Sequence, residues 1–578
     1  MFLNSEKMLK KIYIPFLAVL IGFSLGCKKK ETPAPTPVTV VTPPDTSTGK
    51  PNSEHINVLT QHNDNSRAGF NSHETVLTTT NVNPQQFGKL FTLAVDDQIY
   101  AQPLVFSNLT MGTGTANVVF IATVNNTVYA YDGTKGNLYW KQNFTVSGMR
   151  TPNSNDMASS WCTPYTDFAN SIGIIGTPVI DSVSKTMYFV ARSTDGQKFV
   201  QYLHAIDVTT GSEKTGSPVL ITASVPGTGD GSFNGTVSFD PRRNNQRQGL
   251  VLVNGVVYIS WSSHCDWNPY HGWVIGYNAS TLAQQIVYND TPNGENGGIW
   301  ESGMGIAADA QGNLYVTTGN GTVGNASFSS TGNGTNDNTD TDPTNLTNRG
   351  ESALKLTPLG ATLQVSSYFT PLNYLNLNVN DLDYGVMGTF LIPGTNLYLT
   401  GCKDGNLYVL NKDNMGGYST SFNVVQQTIP LNESMHCQPA FYKGGLNQYM
   451  YVWSENDQLR AFAFNTGSGL FATNATVSPD SGPGGGCGAD LSVSQNGSVA
   501  GTGILWAAYG FSGDAGNSVV PGILRAFDAN DITKELWNSN QTSGDGVGYY
   551  AKFCSPTIAN GHVYLPTFSN KVIVYGLK

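Results

Sequence analysis

Between residues 55 and 578, apolar and aromatic residues come in short runs broken by Gly, Asn and Asp, and no stretch holds a 3.6-residue period. AQPLVFS (101–107), NVVFIATVNN (117–126), TVYAYDG (127–133) and GNLYWKQNF (136–144) read as four successive strands. The same grammar returns in GTPVIDS, MYFVARS and LHAIDVTTG (176–211), then in GLVLVNGVVYISW and HGWVIGYNAS (249–280). Later copies centre on NLYVTTGNG (313–321), NLYLTGCKDGNLYVLNKDN (396–414), MYVWSENDQLRAFAF (450–464), GILWAAY with GILRAFDAND (503–531), and HVYLPTFSNKVIVYGLK (562–578). Eight copies over this region give about 65 residues each. A minimal propeller blade takes ~40–45 residues, so the surplus belongs to long loops. The pattern predicts an all-β chain: an eight-bladed β-propeller of four-stranded blades occupying 55–578. The last copy stops after its third strand, at Val574-Tyr575-Gly576. FGKLFTLAV (87–95), which precedes the first copy, is predicted to supply the missing outer strand and lock the ring.

Ahead of the repeats the pattern changes. Lys7, Lys10 and Lys11 precede an apolar stretch from Ile12 to Leu25. It is too short for a bilayer span of about 20 helical residues and reads as a secretion signal over 1–26. Ser24-Leu25-Gly26-Cys27 resembles the lipobox of bacterial lipoproteins, in which the cysteine becomes the lipidated first residue; Ser24 stands where that motif usually has Leu. Residues 27–54 carry six prolines and no core-forming pattern, a stiff tether between anchor and body. The expected location is the cell envelope, lipid-anchored to a membrane on its periplasmic side or at the cell surface.

Composition narrows the partners. Only 12% of residues are charged, Gly numbers 64 of 578, and the net charge is −10 with no basic stripe. This excludes a coiled coil, an acidic disordered chain and a nucleic-acid binder. There are seven cysteines and no CxxC, which removes support for a zinc ribbon, a thioredoxin motif or a c-type haem site. If Cys27 carries lipid, an oxidising envelope permits disulfides among the other six. Cys162 is expected to tie to Cys265. Cys437, Cys487 and Cys554, near the starts of three successive inner strands, are expected to staple neighbouring blades, as Cys437–Cys487 or Cys487–Cys554.

The Tyr-Ala-Tyr-Asp…Gly-Asn-Leu-Tyr-Trp unit (129–140) resembles the tryptophan-docking repeat of the pyrroloquinoline quinone (PQQ) enzymes, the quinoprotein alcohol dehydrogenases and their relatives. The likeness covers nearly all of 55–578. It implies a quinone lying in the central funnel with a bound Ca²⁺, a carboxylate that takes the proton of an alcohol, and a cation on the quinone oxygens. NLYVTTGN (313–320) places Asn320 at the Ca²⁺-binding position. NDLDYGVMGTFLIP (380–393) places Asp381 and Asp383 at the base position, and KDGNLYVLNK (403–412) begins at the quinone-contacting Lys403. SSHCDWNPYHGW (262–273) offers Asp266 as the acidic metal ligand. Two departures stand out. No two cysteines are adjacent, so the disulfide roof of that family is missing. Its floor tryptophan falls on Gly303 or Gly305, with Trp300 displaced from it.

These residues leave three readings. One is a PQQ- and Ca²⁺-dependent oxidation of a small alcohol or sugar. Another is a non-catalytic propeller that binds or scaffolds protein or polysaccharide in the envelope. The third is a lyase or hydrolase using a metal held by His264, Asp266 and His271. Arg67, in QHNDNSRAGF, is expected to be structural. Asn- and Asp-rich 332–345 reads as a solvated insertion, and Trp140, Trp453 and Trp537 as packing between blades.

Overall fold

Strands that alternate in an ordinary half-exposed sheet do not alternate here. Every residue of Thr127–Asp132 and of Thr186–Thr194 is buried, because the middle strands of each blade are covered on both faces by neighbouring blades. Peripheral strands show one-sided burial, as in Phe87–Ala94, or lie open, as in Leu138–Asn143. The computed structural model describes residues 56–157, 163–325, 342–431, 433–445, 447–482 and 484–578. The signal stretch, Cys27, the tether, Cys162 and most of 332–345 lie outside them.

The strands form eight antiparallel blades: 104–143, 179–220, 244–289, 307–369, 389–430, 440–481, 490–538, and 557–577 joined by Phe87–Ala94. Blade 8 is closed as the strand count requires, with Phe87–Ala94 running antiparallel to Lys571–Leu577. Among the described residues, helix is limited to Ser154–Met157, Tyr374–Val379 and one 3₁₀ turn, Glu301–Gly303.

The core is a ring of interfaces. Eight apolar clusters each join two adjacent blades, from blades 1 and 2 round to blades 8 and 1. Trp453 and Trp537 are fully buried in two of them, and Trp140 caps blade 2 by donating from Nε1 to the Val208 carbonyl at 3.0 Å. Cys402, Cys437, Cys487 and Cys554 are free, buried thiols. This corrects the expected staples: Cys437 packs between blades 5 and 6, Cys487 between blades 7 and 8, and Cys554 in a separate cluster with Tyr100 and Phe168. Equivalent places in the repeat put these thiols in different interfaces, and burial raises the pKa of each. Cys265 is not among the free thiols.

One element has no counterpart in the sequence reading. Residues 58–71 thread the axis and meet the inner strand of every blade in turn. Val58 pairs with Val105, and Leu59 O accepts from Ile180 N. Asn65 Nδ2 donates to Leu252 O at 2.9 Å, and Asn65 O accepts from Ala308 N. Ser66, Ala68 and Gly69 carbonyls then accept from Leu391, Phe441 and Val493, and Asn71 Nδ2 donates to Ile558 O at 2.8 Å. Arg67, wholly buried at φ +61, holds this clasp by donating to Thr60 Oγ1, Gln61 O, Leu250 O and Ile306 O.

Candidate functional site

In a four-stranded antiparallel blade, the start of strand 1, the turn between strands 2 and 3, and the end of strand 4 share one face. The candidate carboxylates, Asn320 and Lys403 all lie in such segments. Asp266 sits between Val256–Ser263 and Trp273–Asn278 of blade 3, and Asn320 follows Leu314–Thr317 of blade 4. Asp381 and Asp383 precede the first strand of blade 5, and Lys403 follows its second, Leu397–Gly401. These loops meet over the axis around a cavity of about 390 Å³, within the usual range for small-molecule sites.

One wall of this cavity is acidic. Lys403 Nζ lies 2.7 Å from Asp383 Oδ2 and 3.3 Å from Asp381 Oδ1. Asn320 donates its backbone N–H to Asp383 Oδ1 at 2.9 Å and its Nδ2 to Asp381 Oδ1 at 2.6 Å. The Asn320 side-chain oxygen is buried without a partner. Asp266, at φ +46, accepts from the Tyr270 hydroxyl at 2.6 Å. Burial, and then Asp383 and Asp381, push its pKa up to about 7. Burial works against the charge of Lys403, but Asp383 and Asp381 outweigh it and hold the ammonium above its ordinary pKa.

Trp300 also lines this wall. A Cβ on Gly319 would fall 2.2 Å from Asp383 Oδ1 and 2.8 Å from Trp300 Cδ1, so only glycine lets backbone, ring and carboxylate approach this closely. The floor explains why no tryptophan stands at Gly303 or Gly305. Gln438 spans the axis there, its Nε2 donating to Ser302 O at 2.8 Å and Phe553 O at 2.9 Å. A Cβ on Gly303 would lie 2.6 Å from Phe553 O, and one on Gly305 would meet Gly249 O at 2.8 Å and the Arg67 guanidinium at 2.9 Å.

The rest of the site is not in the motifs. Arg247, Lys552 and His436 line the same cavity from segments ahead of the strands Val251–Val253 of blade 3, Thr557–Ala559 of blade 8 and Ala440–Lys443 of blade 6. His436 Nδ1 lies 2.5 Å from Glu455 Oε1. Glu301 and Glu351 are buried beside the acidic wall, each with one carboxyl oxygen unpartnered. Burial raises both, Glu301 to about 8, and Asp383 adds to the shift at Glu351.

The metal loop of the third reading does not form. His264 is buried between the Tyr165 hydroxyl, 2.7 Å away, and Arg192, 2.6 Å away. His271 is tied to Thr291 Oγ1 and Asp230 O, both at 2.9 Å. Both imidazoles are thus engaged away from Asp266, and burial lowers the pKa of each. Among the described residues, no three His, Cys, Asp or Glu side chains form a ready-made metal cage.

No protein-family model and no curated protein sequence matches the chain. Solved structures do. The quinohemoprotein alcohol dehydrogenase of Comamonas testosteroni superposes with a TM-score of 0.53 at 12% identity, over 90% of this chain and 80% of that one. Quinohemoprotein alcohol dehydrogenase ADHIIG of Pseudomonas putida HK5 gives 0.50 at 14% identity, over 91% and 81%. BamB of Moraxella catarrhalis gives 0.44 at 11%, over 85% and 99%. At these identities the likeness is one of fold: the chain is an eight-bladed β-propeller similar in architecture to the quinohemoprotein alcohol dehydrogenases.

Proposed function

We propose that this chain is an envelope lipoprotein, anchored through Cys27, whose funnel binds PQQ with Ca²⁺ and oxidises the hydroxyl of a small alcohol or sugar. The observation that carries this reading is the convergence of Asp266, Asp381, Asp383, Lys403 and Trp300 on one cavity from three blades, with Asn320 hydrogen-bonded to Asp381 and Asp383 from behind its wall. The donor set fits a hard cation. It is made of oxygens, one of them the orphaned Asn320 amide oxygen, next to carboxylates close enough for Asp383 and Asp381 to add to the raised pKa of buried Asp266. Asp266, Asn320 and Asp381 would hold the ion, and the bound cation–quinone pair would supply the two-electron acceptor. Trp300 would give the quinone an aromatic face.

The chain's own groups handle the substrate. Asp383, nearly buried and fixed by the Asn320 N–H, accepts the hydroxyl proton. Lys403, 2.7 Å away, pairs with the Asp383 carboxylate and stays beside it after transfer. Gln438 spans the floor of the funnel, donating to Ser302 O and Phe553 O.

The test is a titration of the protein with PQQ and Ca²⁺, following melting temperature and quinone absorbance together. A Ca²⁺-dependent rise with saturable binding is expected, and dye-linked alcohol oxidation that Asp383→Asn abolishes. No shift at any ratio would leave a propeller that has kept the fold without the cofactor, and the scaffold reading would replace this one.

A further inference from the structure

Besides Lys403, the cavity is lined by two further cations, Lys552 and Arg247. Lys552 is 5% exposed, and its ammonium donates to the Gly516 carbonyl. Arg247 reaches over the Phe553 ring, its guanidinium carbon 4.1 Å from the centroid. Neither forms an ion pair among the described residues. Burial lowers the pKa of Lys552, Cys487 and Asp167 oppose that shift, and Arg247 adds to it; both cations line the one cavity. The acidic groups around them are engaged elsewhere or stand apart. Asp490 accepts from Tyr550 and Cys554, and Glu455 is taken by His436. Asp167 lines the cavity and acts on Lys552 at a distance without forming an ion pair with it, and Asp514 accepts from Gly516 N and Asn517 Nδ2. A buried ammonium such as Lys552 without an ion pair is costly, and the half-buried guanidinium fork of Arg247 suits a carboxylate.

We propose that the funnel recognises a small hydroxy acid, its carboxylate on Arg247 and Lys552 and its hydroxyl toward Asp383 and Lys403. This rests on reading the funnel as the ligand site and adds a substrate class to it. A neutral alcohol or sugar leaves both cations unneutralised. A carboxylate without a hydroxyl leaves the Lys403–Asp383 side without its partner. Of these three, a ligand carrying both groups satisfies both walls of a cavity of about 390 Å³.

Calorimetric titration of the full-length protein with glycerate, glycerol and propionate, with and without PQQ and Ca²⁺, tests this. Glycerate is expected to bind at least tenfold tighter than either of the others. Arg247→Gln and Lys552→Met should each remove its advantage over glycerol, and Lys403→Met its advantage over propionate. Equal binding of glycerate and glycerol, or a preference that survives both basic-wall variants, overturns the proposal. So does displacement of glycerate by saturating PQQ, which would assign the basic wall to the carboxylates of the quinone. Arg247-dependent glycerate binding with no response to PQQ and Ca²⁺ keeps the hydroxy-acid site and removes the cofactor reading instead.

Discussion

At the scale of single residues, the site depends on groups that occupy almost no space or carry no charge. Gly319 is one. Its φ is ordinary, so an alanine there brings no backbone strain, only a methyl driven against Asp383 and Trp300. Gly319→Ala is expected to cost about 1–3 kcal/mol from overpacking and to break the Asp383–Lys403 geometry. Melting temperature and ligand titration together check this; loss of binding without loss of the fold is the expected result. Glu301 is another. Its raised pKa, caused by burial, means that the folded state holds a proton that the unfolded chain releases near 4.5. Stability therefore falls as pH rises from about 4.5 to about 8, then levels off. Asp490, raised to about 7, adds a slope of the same sign. Glu301→Gln should narrow the difference between urea midpoints at pH 5 and pH 9; an unchanged difference would show that Glu301 is already ionised in the fold. Asp266, Asn320, Asp381, Asp383 and Lys403 are readable in the sequence because each sits inside a recognisable strand-and-turn motif. Arg247, Lys552 and Gln438 are not. Each is a single residue ahead of an inner strand, and only closure of the ring brings them to one axis.

At the scale of elements, strand order and the closing role of Phe87–Ala94 follow from counting strands per copy, since a short last copy needs an outer partner. The thiol staples do not follow, because a repeated place in the blade says nothing about which interface a side chain enters. The 58–71 clasp escapes sequence reading for a different reason. Among its residues only Phe70 and Asn71 form a strand, and His62, Asn63 and Arg67 adopt positive φ, so it carries no alternating pattern. Its hydrogen bonds go to eight different strands, which no local periodicity encodes. Arg67 is its pivot, with burial lowering its pKa to about 10. Arg67→Met removes the donors to three carbonyls and one hydroxyl in a dry site. An expected loss of about 3 kcal/mol or more follows from the unsatisfied acceptors. Denaturant unfolding measures it, and a loss below about 1 kcal/mol would mean that water replaces the guanidinium.

At the scale of the whole molecule, stability comes from a closed cycle of eight blade interfaces with no terminal face. An open row of blades would expose two apolar faces and an unpaired edge at Lys571–Leu577. Two N-terminal elements prevent this by different means: Phe87–Ala94 completes the last blade, and 58–71 ties all inner strands at the axis. The first supplies a whole strand, with Phe87 packed against Trp506, Trp537 and Tyr575; the second supplies hydrogen bonds and plugs the channel beneath the cavity. Their losses should therefore differ in kind. A chain beginning at residue 56 keeps every one of these contacts and is expected to melt with the full-length protein. A chain beginning at residue 72 keeps the closed ring but lacks the clasp. It should melt several degrees lower, with weakened ligand binding, because the floor of the funnel loses its support. A chain beginning at residue 96 leaves blade 8 with three strands and an open edge, and should associate or aggregate rather than give one cooperative transition. Calorimetry with light scattering separates the three. A monomeric 96–578 chain melting at the full-length temperature would mean that the seven complete blades hold the ring without their closing strand.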